Sequence, residues 1–122
     1  MKKKGIILLI GCCFLVVFNG CYNHKADLVS PECDTSNVRL SVELNDIMVA
    51  NCFNCHSAVN APVIGDGYNL EDYNTIKNNI ESLIHSIKQD SGYSFMPKDG
   101  GKLSDCDINK FIAWKNQGAH PN

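Results

Sequence analysis

The sequence lacks any stretch in which apolar and polar residues alternate over several positions, which is the pattern of a half-buried β-strand. It also lacks internal repeats and low-complexity segments, which excludes solenoids and other repeat architectures. With 122 residues, the chain has room for one small domain. These absences leave a single small all-α domain as the predicted fold class.

Basic residues are scarce in the part of the chain that would form this domain. The sequence has 11 basic and 13 acidic residues, and Lys2, Lys3 and Lys4 lie at its very start. Without residues 1–20, the remaining 8 basic and 13 acidic residues give a formal charge of −5. Binding to a phosphate backbone needs a basic patch, so the composition argues against nucleic acid as a partner.

No apolar run has the length and flanks of a confident transmembrane helix. The segment from Ile6 to Phe18 is almost wholly apolar and follows the lysines Lys2 to Lys4, as in a secretory signal peptide. We therefore predict that residues 1–20 are a signal peptide. The domain is then exported, to the periplasmic side of a membrane or to the cell surface.

Asn19-Gly20-Cys21 directly follows the apolar run and resembles the lipobox of bacterial lipoproteins. The resemblance implies that Cys21 becomes the lipid-bearing N-terminus and anchors the chain to a membrane, with residues 21–40 as a polar tether. Leu9-Ile10-Gly11-Cys12 fits the lipobox better by its letters, but Cys12 would leave an apolar region of only about six residues. Cys12, an uncleaved anchor and a signal cut elsewhere remain the alternatives.

Three segments have the periodicity of amphipathic helices. The first covers about 42–55 with Ser41 as its N-cap. The second follows Asn69 as its cap and is either one helix or two short ones broken near Asn78-Asn79. The third opens at Ser104, where Asp107 completes a capping-box pattern, and ends before Gly118.

Loops take a large share of this domain, because segments 57–68 and 89–103 contain several glycines and a proline each. Three or four short helices bury little apolar surface on their own. We therefore expect that the domain needs an additional stabilising group, which adds either apolar bulk to the core or a covalent cross-link.

Cys52-Phe53-Asn54-Cys55-His56 has the form C-x-x-C-H. Two thiols about one helical turn apart can each add to one vinyl group of a haem, and the next residue then lies where an imidazole binds the iron. The motif predicts that Cys52 and Cys55 carry one covalent haem c and that His56 is the proximal ligand. A buried haem would also be the stabilising group that the loop-rich domain needs.

A thiol redox pair and a zinc site are the alternatives for the same cysteines. A thioredoxin-type pair normally opens a helix after a strand, whereas Cys52 and Cys55 close the predicted helix 42–55. Zinc would need two more ligands at suitable spacing, and the sequence has no second C-x-x-C and no H-x-x-x-H. Haem attachment is the preferred prediction.

Cys33 and Cys106 are the other cysteines of the predicted mature chain besides Cys21 and the motif pair. In an oxidising compartment a Cys33–Cys106 disulfide is plausible, but their spacing does not decide between a disulfide and two free thiols.

The order of these features is similar to that of single-haem c-type cytochromes, the cytochrome c family. A capped helix, C-x-x-C-H, a glycine-containing loop, middle helices, the Met96-Pro97 loop and a final helix with Trp114 follow one another over about 40–119. The resemblance implies a cytochrome c-like domain at 41–119, with three to four short helices wrapped around one haem.

In that family a methionine usually binds the sixth position of the iron. Met1 leaves with the signal and Met48 lies on the core face of its helix, so the resemblance implies Met96 as the distal ligand. His85 is the competitor, but it lies more than about 100° around its helix from the apolar face and is expected to face solvent.

In the same family a loop carbonyl often accepts a hydrogen bond from the proximal histidine. The resemblance implies the carbonyl of Pro62, six residues after His56, as this acceptor. Phe111 and Trp114 are expected to pack in the core rather than on the haem.

Ligation by His56 and Met96 leaves no open position for a substrate, which favours a non-enzymatic electron carrier that cycles between Fe(II) and Fe(III). Its expected partners are redox proteins of the bacterial cell envelope. A five-coordinate haem peroxidase or gas sensor is the first alternative, and a haemless binding lipoprotein stapled by disulfides is the second.

Overall fold

The computed structural model describes residues 32–122 of the chain. The predicted signal peptide, the lipidation site at Cys21 with its alternative Cys12, and most of the predicted tether lie outside these residues. Residues 32–122 form helices joined by loops, with no strand among them, which agrees with the all-α prediction. Within the same range, no helix is long and apolar enough to cross a membrane.

The helices follow one another in the order of the sequence segments that predicted them, with one addition. A π-helical turn, Leu40–Leu44, leads directly into the first of five α-helices. The α-helices are α1 Asn45–Asn51, α2 Phe53–His56, α3 Ala61–Ile64, α4 Tyr73–Lys88 and α5 Asp105–Asn116.

The first helical segment starts earlier than predicted, and Ser41 does not cap it. The helical segment begins at Leu40, and the backbone N–H of Ser41 donates to the carbonyl of Asn122 at 2.8 Å. The Glu43 carboxylate reaches back instead and accepts from the backbone N–H of Arg39 at 2.8 Å. Because Glu43 satisfies this early donor, no serine cap is needed. The segment also breaks at Cys52, which separates α1 from α2.

The predicted loop 57–68 contains the short helix α3, with Pro62 near its start. Proline fits this place because its φ angle suits a helix and its missing N–H would have no partner in the first turn.

The long helix α4 is capped by Asp72, not by Asn69 as predicted. The Asp72 carboxylate accepts from the backbone N–H of Thr75 at 2.7 Å and from its hydroxyl at 2.8 Å, and these hydrogen bonds lower the pKa of Asp72. The helix continues without a break through Asn78-Asn79, and the Asn79 side chain donates to the Thr75 carbonyl within the same helix. One face buries four isoleucines, Ile76, Ile80, Ile84 and Ile87.

The final helix α5 begins as predicted, because the Ser104 hydroxyl accepts from the backbone N–H of Asp107 at 3.1 Å. Trp114 is buried in the core and lines no part of the cavity described in the next section, whereas Phe111 is buried in the core and also lines that cavity. The Trp114 indole N–H donates to the carbonyl of His120 at 2.9 Å, and the Tyr73 hydroxyl donates to the carbonyl of Ala119 at 2.9 Å. The residues after α5 therefore belong to the fold.

The compact unit extends from Cys33 to Asn122, beyond the predicted limits of 41 and 119 at both ends. Cys33 and Cys106 form a disulfide, so the alternative of two free thiols is excluded in this structure. Val38 is buried, and its backbone N–H donates to the Gln117 side chain at 3.2 Å. The residues from Cys33 to Leu40 are therefore part of the domain and not of a tether.

We expect the Cys33→Ser, Cys106→Ser double variant to lower the free energy of unfolding by about 2–4 kcal/mol, since the disulfide joins residues 73 positions apart and restricts the unfolded chain. Denaturant unfolding of the variant and the wild type measures this difference. The control is strong reductant, which should destabilise the wild type alone. Equal stability of the two proteins without reductant would contradict the prediction.

Candidate functional site

A cavity of about 300 Å³ lies between α1, α4 and the loop that follows α4. It is lined by Cys52 and His56 from the C-x-x-C-H motif and by Met96 from the distant Met-Pro loop. A second cavity of about 310 Å³ shares these three residues and adds Cys55. The fold thus brings together all four residues predicted to hold a haem, in space of the size that cofactor sites occupy.

The walls of the first cavity are mainly apolar. α4 contributes Leu83 and Ile87, and Met48, Leu70, Leu103 and Phe111 add to the apolar wall. Polar residues, among them Asn51, Asp66 and Ser82, line the rest. Met48 and Phe111 are buried core residues, so the cavity is continuous with the hydrophobic core. A mainly apolar lining with a few polar groups suits an apolar ring system.

The motif itself forms a single helical turn. The carbonyl of Cys52 accepts from the backbone N–H of Cys55 at 3.1 Å and of His56 at 2.9 Å. Both thiols are free. Burial raises the pKa of the Cys52 thiol to about 11. The attacking thiol of a redox pair needs a lowered pKa, so Cys52 lacks the activation which that role requires.

His56 presents one defined ring nitrogen for ligation. Its Nδ1 lies 3.0 Å from the carbonyl oxygen of Tyr68. A carbonyl only accepts hydrogen bonds, so Nδ1 carries the proton and Nε2 keeps its lone pair. A metal-binding histidine typically has this arrangement, in which the second nitrogen fixes the ring orientation.

The acceptor predicted for His56, the carbonyl of Pro62, is wrong. Pro62 lies inside α3, whereas Tyr68, whose carbonyl is the observed acceptor, follows the turn at Gly67. The backbone N–H of Leu70 donates to the carbonyl of His56 at 2.8 Å, which places Tyr68 beside the histidine ring. The acceptor is therefore set by the path of the loop and not by distance along the chain.

Gly65 packs directly against the motif and was not recognised from the sequence as a site residue. A Cβ atom at this position would lie 2.5 Å from the carbonyl oxygen of Cys55 and 3.0 Å from Nδ1 of His56. Only glycine permits this approach of the α3 C-terminus to the histidine. The sequence signal was a glycine nine residues after His56, but a loop glycine alone does not reveal what it packs against.

Met96 is half-buried and packs against the hydrophobic core. Its backbone N–H donates to the carbonyl of Ser86 at 3.1 Å, which attaches the loop to α4. His85, the competing ligand, is not part of either cavity lining. Its side chain is 38% exposed and bonds Asp90 instead. The structure thus places Met96 in the lining of both cavities and His85 outside them.

The residues present fit a covalently attached haem. Two free thiols, one imidazole nitrogen with a lone pair, and one thioether line adjoining cavities with apolar walls. Within residues 32–122, no three His, Cys, Asp or Glu side chains cluster so as to hold a bare metal ion.

We expect Gly65→Ala to lower the free energy of unfolding by about 1–3 kcal/mol, because the new methyl group meets backbone atoms that must shift. The matched control is Gly101→Ala, since nothing lies within 4 Å of a Cβ at that position. Denaturant unfolding of both variants measures the difference. A Gly65 variant as stable as the Gly101 variant would show that the close approach to His56 is wrong.

Comparisons of the chain with protein-family models, with curated proteins and with solved structures give no match. The chemistry of this cavity therefore has to be inferred from its own residues.

Proposed function

We propose that this chain is an electron carrier of the bacterial cell envelope with a cytochrome c-like fold. In this proposal Cys52 and Cys55 hold one haem c through thioether bonds, and His56 and Met96 are the axial ligands of its iron. The observation that supports it best is that Met96 lines the same cavity as the C-x-x-C-H motif, although the two are far apart in sequence.

The haem would supply the redox chemistry, because its iron cycles between Fe(II) and Fe(III). The side chains of the cavity would hold the iron geometry nearly constant between the two states. The Tyr68 carbonyl keeps the His56 ring in one orientation, and the Met96 thioether favours the ferrous state and hence a more positive potential. The apolar part of the cavity wall would pack against the ring system.

The positions of the polar side chains favour an electron carrier over a haem enzyme. A peroxidase needs an open sixth position and an acid–base pair beside it. His85 is engaged by Asp90, and Arg39, the only arginine of the sequence, forms an ion pair with Glu43. Neither residue lines the two cavities that contain Met96. Asp66 lines both cavities, but no histidine or arginine other than His56, the proposed iron ligand, lines either of them. The five-coordinate peroxidase or gas sensor therefore remains only as an outcome of the tests below.

The proposal includes the location and the partners inferred from the sequence. The chain would be exported and anchored through lipid on Cys21, and it would exchange electrons with other redox proteins of the envelope. Ile64, which lines the second cavity, and Phe95, next to Met96, are both more than half exposed. Apolar side chains at these places would give a partner an apolar contact beside the haem, next to the charged residues Asp66, Lys98 and Asp99 that line the same cavity.

The first test is haem staining of the denatured protein after expression in a host that attaches haem to C-x-x-C-H. We expect the wild type to stain, because thioether bonds survive denaturation, and the Cys52→Ala, Cys55→Ala variant to lose the stain. The Cys33→Ser, Cys106→Ser variant is the matched control and should still stain. A colourless wild type would leave the haemless lipoprotein as the better explanation.

The second test is Met96→Ala, which removes the proposed sixth ligand. We expect the haem to stay attached, the reduction potential to fall, and the ferrous iron to bind carbon monoxide. The weak red-end Met–iron absorption band of the oxidised protein should disappear. Met48→Leu, a change of similar volume at a buried methionine, is the control and should keep the band. A wild type with a high-spin oxidised spectrum would favour the peroxidase or gas sensor.

A further inference from the structure

The loop that carries Met96 leaves α4 and returns to the same end of that helix. Gln89 ends α4 in the left-handed conformation with φ 60°. The backbone N–H of Asp90 then donates to the carbonyl of His85 at 3.0 Å, and that of Met96 donates to the carbonyl of Ser86 at 3.1 Å. The loop is thus attached to the last turn of α4 at both of its ends.

Between these two attachments the loop has no buried side chain of its own. Residues 91–95 are all exposed, and Gly92 adopts φ 93°. An exposed segment of this length gains little from apolar burial, so its conformation depends on the polar and aromatic contacts it makes.

His85 supplies those contacts from the helix side. Its Nδ1 lies 2.7 Å from the Asp90 carboxylate, and its ring stacks on Tyr93 with centroids 4.5 Å apart and planes 15° from parallel. Lys88 adds a contact to the same Asp90 oxygen at 3.1 Å. Tyr93 in turn lines the cavity together with Met96. The group His85, Asp90 and Tyr93 is called the loop clamp below.

We propose that His85 is a positioning residue for Met96: through the loop clamp it holds residues 89–96 against α4 and so keeps the thioether at the cavity. This inference rests on the proposed function, in which Met96 is the sixth ligand of the iron. It predicts that the clamp, which touches neither the haem-binding thiols nor His56, sets how readily an added ligand displaces Met96.

The charges around the clamp are consistent with this role. Hydrogen bonds from His85 and then from Lys88 lower the pKa of the Asp90 carboxyl, so Asp90 is a charged acceptor at neutral pH. A hydrogen bond to a charged acceptor is stronger than one between neutral groups, although partial exposure of both side chains weakens it. The aromatic stack adds a contact that does not depend on charge.

The test compares His85→Ala with the wild type as haem-loaded proteins. Loss of one hydrogen bond and one stack between half-exposed groups should raise the affinity of the ferric iron for imidazole about fivefold. The exchange rate of the Met96 backbone amide hydrogen should rise by a similar factor. His85→Phe, which keeps an aromatic ring over Tyr93, should recover part of both effects. Asp90→Asn should weaken the hydrogen bond between His85 and residue 90 and should leave the conformation of α4 unchanged.

The matched control is Lys115→Gln on α5. It removes an ion pair that joins α5 to Glu81 of α4 instead of to the loop, and it leaves the charges next to His85 on α4 in place. This variant should leave imidazole affinity and Met96 amide exchange unchanged, so a general loss of stability is distinguished from loss of the clamp.

The inference and the proposed function fail in different ways. If the wild type binds haem and shows the Met–iron band but His85→Ala changes neither imidazole affinity nor amide exchange, the clamp is overturned and the electron-carrier proposal stands. If the wild type carries no haem, the proposed function fails. The exchange rate of the Met96 amide still decides whether His85 holds the loop, because that measurement needs no iron.

Discussion

The hydrogen bond between the His56 ring and the carbonyl of Tyr68 is the interaction on which the rest of the site depends. It leaves Nε2 as the nitrogen that can bind a metal, and it requires the chain after α3 to return past the motif. Two features make that return possible. Gly65 lets the end of α3 approach the histidine more closely than a residue with a Cβ atom could. The backbone N–H of Leu70 then donates to the His56 carbonyl and so holds the returning segment beside the motif.

The opposite side of the cavity is built on α4. Its isoleucine face anchors the helix in the core, and its last turn holds the loop that carries Met96. The two sides have different local supports, the glycine-containing turn for His56 and the loop clamp for Met96. Contacts at both ends of the domain stabilise this loop-rich fold. The Cys33–Cys106 disulfide attaches the segment before α1 to α5. Hydrogen bonds from Trp114 and Tyr73 attach the segment after α5 to the helices.

Predictions from the sequence were correct where neighbours along the chain decide the outcome and wrong where several local candidates compete. Ser104 caps α5 as expected, because its hydroxyl reaches the nearby Asp107 N–H without help from other elements. Ser41 and Asn69 were equally good candidates by residue type. The carboxylates of Glu43 and Asp72 accept the helix-terminal hydrogen bonds instead. Small differences in backbone path decide between such candidates, and a sequence pattern does not contain them.

The sequence by itself determined the helical class of the described domain and the chemistry offered at C-x-x-C-H, because both follow from spacings of a few residues. The apolar period of α4 and the placement of two thiols and an imidazole in one turn are properties of short segments. Tertiary structure alone decided that Met96 lines the same cavity as Cys52 and that Cys33 reaches Cys106. It also determined that the carbonyl of Tyr68, and not that of Pro62, is the hydrogen-bond acceptor of His56. In each of these pairs at least one helix and its flanking loops lie between the two residues, and the path of that segment is set by what it packs against.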